Sequence, residues 1–208
     1  MGLLKLFFSG AKDPARLLLT RAGPVKNEGR LYSHPGPPLS LEGERAVLAL
    51  ASPLQKAGVR AVYAPDSRPE SQAARLLAEA LGVPYALYPE LRERSWGEWE
   101  GLLFEEVREK YPEEVARWAE DEAGFSPPGG ESVLEVFARS QPLIKDLLAR
   151  HPGEAFLLIG NCTVNRAALA LALPFLPPGE GLKFEQDYAR LSELRFYGEE
   201  GLVAYLNR

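Results

Sequence analysis

Ala15-Arg16-Leu17-Leu18-Leu19-Thr20-Arg21-Ala22-Gly23, followed by Pro24, is the stretch from which the rest of the chain can be read. Three consecutive leucines closed by Gly and Pro form the pattern of a buried strand that delivers a loop at its C-terminal end. In open α/β sheets that edge is where ligands bind. Working outward, Ser40 is placed to cap a helix over 40–57, with Ala46, Val47, Leu50 and Leu54 at helical spacing and Gly58 as its stop. A second short strand at 59–63 leads through Ala64-Pro65-Asp66-Ser67-Arg68-Pro69 to a helix over 69–81 that Gly82 ends. Repeated strand–loop–helix units of this kind predict βαβ connections under a largely parallel sheet.

The remainder continues the pattern. A third strand is expected at 85–88, short helices at 104–111 and 113–120, and a long helix from Ser132 to about Arg150, kinked where Pro142 removes a backbone donor. Then follow a buried strand at 155–159, an apolar helix at 163–173, and two closing strands at 190–196 and 202–206. No linker or internal repeat divides the chain. With 208 residues and 46% hydrophobic content it can bury one sizeable core. The formal charge of −5 and the lack of a basic run argue against nucleic acid or an anionic membrane as partner. A single cysteine, Cys162, excludes an intramolecular disulfide framework and suits a reducing cytoplasm. Abundant Pro with almost no Met or Cys is compatible with a thermophilic source. The apolar residues 1–10 are too short for a membrane span, and residues 1–15 read as an N-terminal extension adding a packed strand.

Three further stretches carry a resemblance. They are Pro38-Leu39-Ser40-Leu41-Glu42-Gly43, then Leu91-Arg92-Glu93 with Gly97-Glu98-Trp99-Glu100-Gly101, and Pro128-Gly129-Gly130-Glu131-Ser132. With the Thr20-Arg21 strand end, the chain resembles the histidine phosphatase superfamily, in its phosphoglycerate-mutase-like branch, over residues 16–208. The resemblance implies a three-layer α/β/α sandwich with a mostly parallel central sheet and a small lid at about 91–130. It also implies phosphoryl transfer through a histidine, with no metal and no other cofactor. That chemistry needs an imidazole nucleophile, cations around the phosphate oxygens and an acid for the leaving oxygen.

Position by position, the family's machinery is degenerate here. The nucleophile position is Ala22, whose methyl can neither attack phosphorus nor donate a hydrogen bond. The first phosphate-binding arginine is retained as Arg21, the pocket asparagine as Asn27 and the acid as Glu93. The second arginine falls on Pro69, with Arg68 one residue away and so aimed differently. The second histidine falls on Asn161, which can donate to an anion but carries no charge. Of the two histidines in the chain, His34 reads first as a polar loop residue, with a place overhanging the expected pocket as the alternative, and His151 reads as a solvated turn residue. Cys162 reads as a buried small hydrophobe, because its nearest downstream arginine, Arg166, is too close for a cysteine-phosphatase loop. Glu98 and Glu100 read as solvated or ion-paired, and the three tryptophans as core and lid packing.

Arg21, Glu93 and Asn161 should therefore converge on one pocket at the C-terminal edge of the sheet. Three readings stay open from sequence. The chain is an inactive or severely impaired family member that binds a small phosphorylated or anionic ligand or a protein partner. Alternatively, it is a phosphatase with histidine-independent chemistry, in which Glu93 activates water beside Arg21. The third is a structural role unconnected with the pocket.

Overall fold

A computed structural model of the protein describes residues 13–26, 29–176 and 184–208. In chain order the elements are β1 (Ala15–Arg21), α1 (Leu41–Ala49), α2 (Ala51–Ala57), β2 (Val59–Ala64), α3 (Glu70–Leu81), β3 (Tyr85–Leu87), α4 (Phe104–Lys110), α5 (Pro112–Glu120), α6 (Val133–Arg150), β4 (Ala155–Gly160), α7 (Cys162–Ala172), β5 (Ser192–Tyr197) and β6 (Glu200–Tyr205). The extra strand expected within residues 1–15 falls almost wholly on residues 1–12, outside the described residues, as does Asn27.

One six-stranded sheet runs β3-β2-β4-β1-β5-β6. The first four strands are parallel, and β5 and β6 complete the sheet antiparallel. β1 and β4 lie side by side at its centre, with Leu17 opposite Phe156 and Thr20 opposite Ile159. Because successive side chains point to opposite faces, the sheet feeds two cores. Leu17, Leu19, Phe156 and Leu158 pack with Ile144 and Leu147 of α6 and Leu169 of α7. Leu18, Leu157 and Ile159 pack with Val47, Leu54 and Leu77 from α1, α2 and α3. The molecule is thus the expected three-layer sandwich. Arg16 clasps β1 to β5 through Glu193, donating from Nε at 3.0 Å and Nη2 at 3.1 Å. Burial alone would raise the Glu193 carboxyl, but hydrogen bonds from Arg16 and Arg195 outweigh it and hold the group below the usual range.

The helix expected over 40–57 is two. It breaks at Leu50 and restarts with Pro53 in the first turn of α2, where a missing N–H costs nothing. Gly58 and Gly82 end α2 and α3 in the left-handed conformation, at φ 73° and 67°. Pro142 lies inside α6, which continues unbroken through Arg150.

Between β3 and α6 an aromatic cluster organises the chain. Trp99, fully buried, packs with Trp118 and Phe125 at ring-centroid distances of 5.7 Å, and Trp96 meets Trp118 at 5.9 Å. The guanidinium of Arg94, only 3% exposed, lies 4.6 Å over the Trp96 ring and donates to the carbonyls of Phe125 and Glu131. Trp99 and Trp118 pack within this cluster, as expected, whereas Trp96 also lines the cavity described below.

Candidate active site

The strands β1, β2 and β4 end, and helices α3 and α7 begin, around one cavity of about 210 Å³. Its wall includes Arg21 and Ala22 after β1, Arg68, Pro69 and Glu70 before and at the start of α3, Asn161 and Cys162 at the start of α7, and Glu93. Arg21, Glu93 and Asn161 thus share one pocket at the expected sheet edge. Local packing explains why the β1 loop is held there. A Cβ on Gly23 would lie 2.3 Å from the Gly43 carbonyl oxygen, and one on Gly43 would lie 2.2 Å from that of Pro24. The backbone after β1 therefore rests directly on the first turn of α1. Ser40 completes the joint: its Oγ accepts from Gly43 N–H and donates to the Pro24 carbonyl. The Ser40-Leu41-Glu42-Gly43 motif is the cradle of the β1 loop.

Each side chain at the edge is held differently. Arg21 donates from Nη1 to the Gln186 carbonyl at 2.8 Å, and its guanidinium lies 4.1 Å over the Tyr188 ring. That leaves further N–H groups of its fork without a hydrogen-bond partner among the described residues. Ala22 is 2% exposed and presents only a methyl to the pocket wall. Glu93 accepts from Arg94 N–H at 2.8 Å and lies 3.5 Å from Thr163 N–H in the first turn of α7. Asn161 faces the protein: its Oδ1 caps α7 by accepting from Val164 N–H, and its Nδ2 donates to the Leu91 carbonyl at 3.0 Å. Arg68 is exposed at the pocket rim.

Glu70, which the motif reading did not mark, is the most perturbed group in the pocket. It is the first residue of α3 and sits half-buried on the cavity wall. Burial pushes the Glu70 carboxyl up to about 8; its own backbone N–H opposes the shift, the Glu93 carboxylate adds to it and Arg21 opposes it. The one signal in sequence was an acidic residue directly after the proline that replaces the second arginine.

A second cavity of about 430 Å³ adjoins the first and shares Ser33 and Glu93 with it. His34 lines this one, exposed, rather than the pocket itself. The charges here are largely paired. Arg92 grips Asp66 with two 2.6 Å contacts and holds its carboxyl below the usual range, and Arg139 forks onto Glu131. Glu100 is half-buried and, among the described residues, is held by hydrogen bonds rather than by an ion pair: it accepts from Trp96 N–H and from both the N–H and hydroxyl of Ser33, fastening the 29–38 loop to the aromatic segment.

Two other expectations are corrected. His151 is not a solvated turn residue. It is 9% exposed, with Nε2 2.8 Å from the Tyr63 hydroxyl, Nδ1 3.0 Å from Glu154 and its ring stacked on Phe156. Cys162 is half-buried on the pocket wall instead of sealed in the core, because it opens α7 at the mouth of the cavity. Among the described residues no helix is long and apolar enough to cross a membrane.

A mostly parallel sheet whose strand ends present an arginine, a carboxylate and two helix N-termini to a small pocket defines an α/β protein with its candidate site at the C-terminal edge of the sheet. Within that class, the chain belongs to the histidine phosphatase superfamily (branch 1), whose family profile matches residues 17–208. It is 34% identical over 198 residues to the bifunctional protein Rv2228c of Mycobacterium tuberculosis, covering 92% of this chain and 53% of that protein. The chain therefore spans about half the length of this mycobacterial relative. It is 27% identical over 179 residues to phosphoserine phosphatase 1 of Hydrogenobacter thermophilus, covering 86% and 84%. Among solved structures it is similar to mycobacterial glucosyl-3-phosphoglycerate phosphatase in complex with inorganic phosphate. There the TM-score is 0.81 at 27% identity, with 93% and 97% of the two chains covered.

Proposed function

We propose that this chain is a histidine-phosphatase-family protein whose pocket binds a small phosphorylated or otherwise anionic ligand and turns it over poorly or not at all. The observation that carries this reading is Ala22. At the strand end beside Arg21, a methyl group lines the pocket where the family's resemblance calls for a nucleophile. Loss of a covalent nucleophile alone lowers turnover by about 10⁶-fold. Neither described histidine replaces it: His151 is buried against Tyr63 and Glu154, and His34 lines the neighbouring cavity. Binding is a different matter. Arg21 offers an incompletely used fork suited to phosphate oxygens, and the starts of α3 and α7 bring backbone N–H groups to the same wall. With one arginine position filled by Pro69 and no imidazolium, affinity for a simple oxyanion should be about millimolar, near −4 kcal/mol.

The relatives' names supply the phosphomonoesters to try: phosphoserine and glucosyl-3-phosphoglycerate, beside p-nitrophenyl phosphate. The wild-type chain should show no turnover approaching about one per second, while phosphate or sulfate raises its melting temperature and changes its Trp fluorescence. Arg21→Ala should abolish both responses. Turnover at an ordinary enzyme rate that Glu93→Gln removes would establish instead that Glu93 activates water directly. No anion response, or an unchanged one in Arg21→Ala, would overturn the binding reading.

A further inference from the structure

The pocket contains one acidic side chain that the family's resemblance does not account for. Glu70 opens α3 immediately after Pro69, and it shares the cavity wall with Arg21, Arg68 and Glu93. An ionised carboxylate there would oppose the entry of an oxyanion and would repel Glu93. A protonated one would not, and would supply the donor that Pro69 lacks.

We propose that Glu70 belongs to the anion site as a neutral carboxylic acid, its O–H donating to an oxygen of the bound ligand where the displaced arginine would otherwise reach. This rests on the anion-binding reading above and adds a second donor to Arg21. The chemistry is one of binding only. The Glu70 proton comes from solvent, stays on the carboxyl and is shared with the ligand oxygen, and no covalent bond to the ligand forms. The environment suits it. Burial has already raised this carboxyl to about 8, Glu93 reinforces the shift, and Arg21 opposes it without cancelling it. A carboxylic acid held neutral at pH 7 in order to donate a hydrogen bond is an established device of buried sites.

Below about pH 8 the acid is already protonated, so affinity for an anion that does not itself titrate should be flat. Above pH 8 the proton must be taken up on binding, and affinity should fall about tenfold for each further pH unit. The other titratable groups on the cavity wall are Arg21, Arg30, Tyr32, Arg68, Glu93, Cys162 and Tyr188. Of these side-chain types, a thiol has the reference value nearest this window. Cys162 is therefore the group to control for.

The probe is sulfate, which remains a dianion throughout, titrated against chloride at constant ionic strength with Trp fluorescence and thermal shift from pH 6 to 9. Wild type should bind equally well from pH 6 to 7.5 and about tenfold more weakly at pH 9. Glu70→Gln, which keeps an N–H donor but cannot ionise, should bind without that fall, and Glu70→Ala should bind weakly at every pH. Cys162→Ser should keep the wild-type profile. A flat wild-type profile, the same fall in Glu70→Gln, or loss of the fall in Cys162→Ser would overturn the assignment of Glu70 while leaving the anion site standing. Absence of any sulfate binding, or binding indifferent to Arg21→Ala, would overturn both. Circular dichroism at each pH confirms that the variants remain folded.

Discussion

At the residue scale, a carboxyl that stays protonated in the folded chain must weaken the fold as pH rises. Glu70 has an ordinary value of 4.5 when exposed and about 8 when folded. Between these values the unfolded chain has released the proton and the folded chain has not, so this group's contribution falls steadily with pH and levels off above 8. Replacing it with Gln removes the liability. Glu70→Gln should raise the melting temperature by roughly 3–6 °C at pH 8, equivalent to about one to two kcal/mol in a chain of this size, and change it little at pH 4. Thermal unfolding followed by circular dichroism at the two pH values tests this. An equal shift at both would mean that shape, not ionisation, is responsible. Such a residue is hard to see in sequence. An acidic residue in the first turn of a helix is ordinary surface chemistry, and only the chain folding around it makes this one unusual. His151 misleads for the same reason. Arg150-His151-Pro152-Gly153 has the composition of a solvated turn, and the ring is buried because Tyr63, 88 residues away, supplies the partner.

At the scale of elements, the β1 loop and α1 stand or fall together. Gly43 lies within α1, where Ala would normally be preferred by about 1 kcal/mol. Here the new Cβ would meet the Pro24 carbonyl oxygen at 2.2 Å and the Leu39 side chain at 3.2 Å. The first contact is with backbone and cannot be relieved by a rotamer change, so overpacking of about 1–3 kcal/mol should outweigh the gain in propensity. Gly43→Ala should lower the midpoint of urea unfolding and displace the Ala22–Pro24 backbone, with loss of the anion response. A stabilised variant that still binds anions would show that the loop yields cheaply. The elements themselves were largely legible. Leu17-Leu18-Leu19 and Phe156-Leu157-Leu158-Ile159 are unbroken apolar runs because both faces of those central strands are buried. The pocket's position followed from the loops at their ends. The break at Leu50 was not legible, since the apolar spacing continues through it from α1 into α2. Nor was the inward use of Asn161, whose carbonyl caps α7 while its amide ties Leu91 from 70 residues away.

At the scale of the whole molecule, the positions Ala22, Pro69, Glu93 and Asn161 come to the site from four separate parts of the chain, and this bears on whether activity can be restored. Ala22→His alone should yield at most trace turnover. The imidazole would stand beside Arg21 and Glu93, but the transferred charge would still lack the partners that Asn161 and Pro69 fail to supply, and groups that act as a unit are strongly non-additive. Adding Asn161→His and Pro69→Arg supplies both charges, yet each substitution disturbs something now in place. Asn161→His removes the cap of α7, at about 1 kcal/mol, and breaks the tie to Leu91. Ala22→His puts a ring where a methyl, 2% exposed, belongs to the second core. Pro69→Arg would also bring a guanidinium beside Glu70, favouring the ionised carboxylate and so giving the new arginine a competing partner inside the site. The triple variant should therefore hydrolyse p-nitrophenyl phosphate faster than the single one while melting several degrees lower, and adding Glu70→Ala to it should increase the rate again. The assay compares single, triple and quadruple variants, each checked by circular dichroism. Full activity from Ala22→His alone would show that the remaining wall already suits phosphoryl transfer. A triple variant that is folded and no faster than the single one would show that the spacing of the four parts, and not only their chemistry, has departed from what the reaction needs.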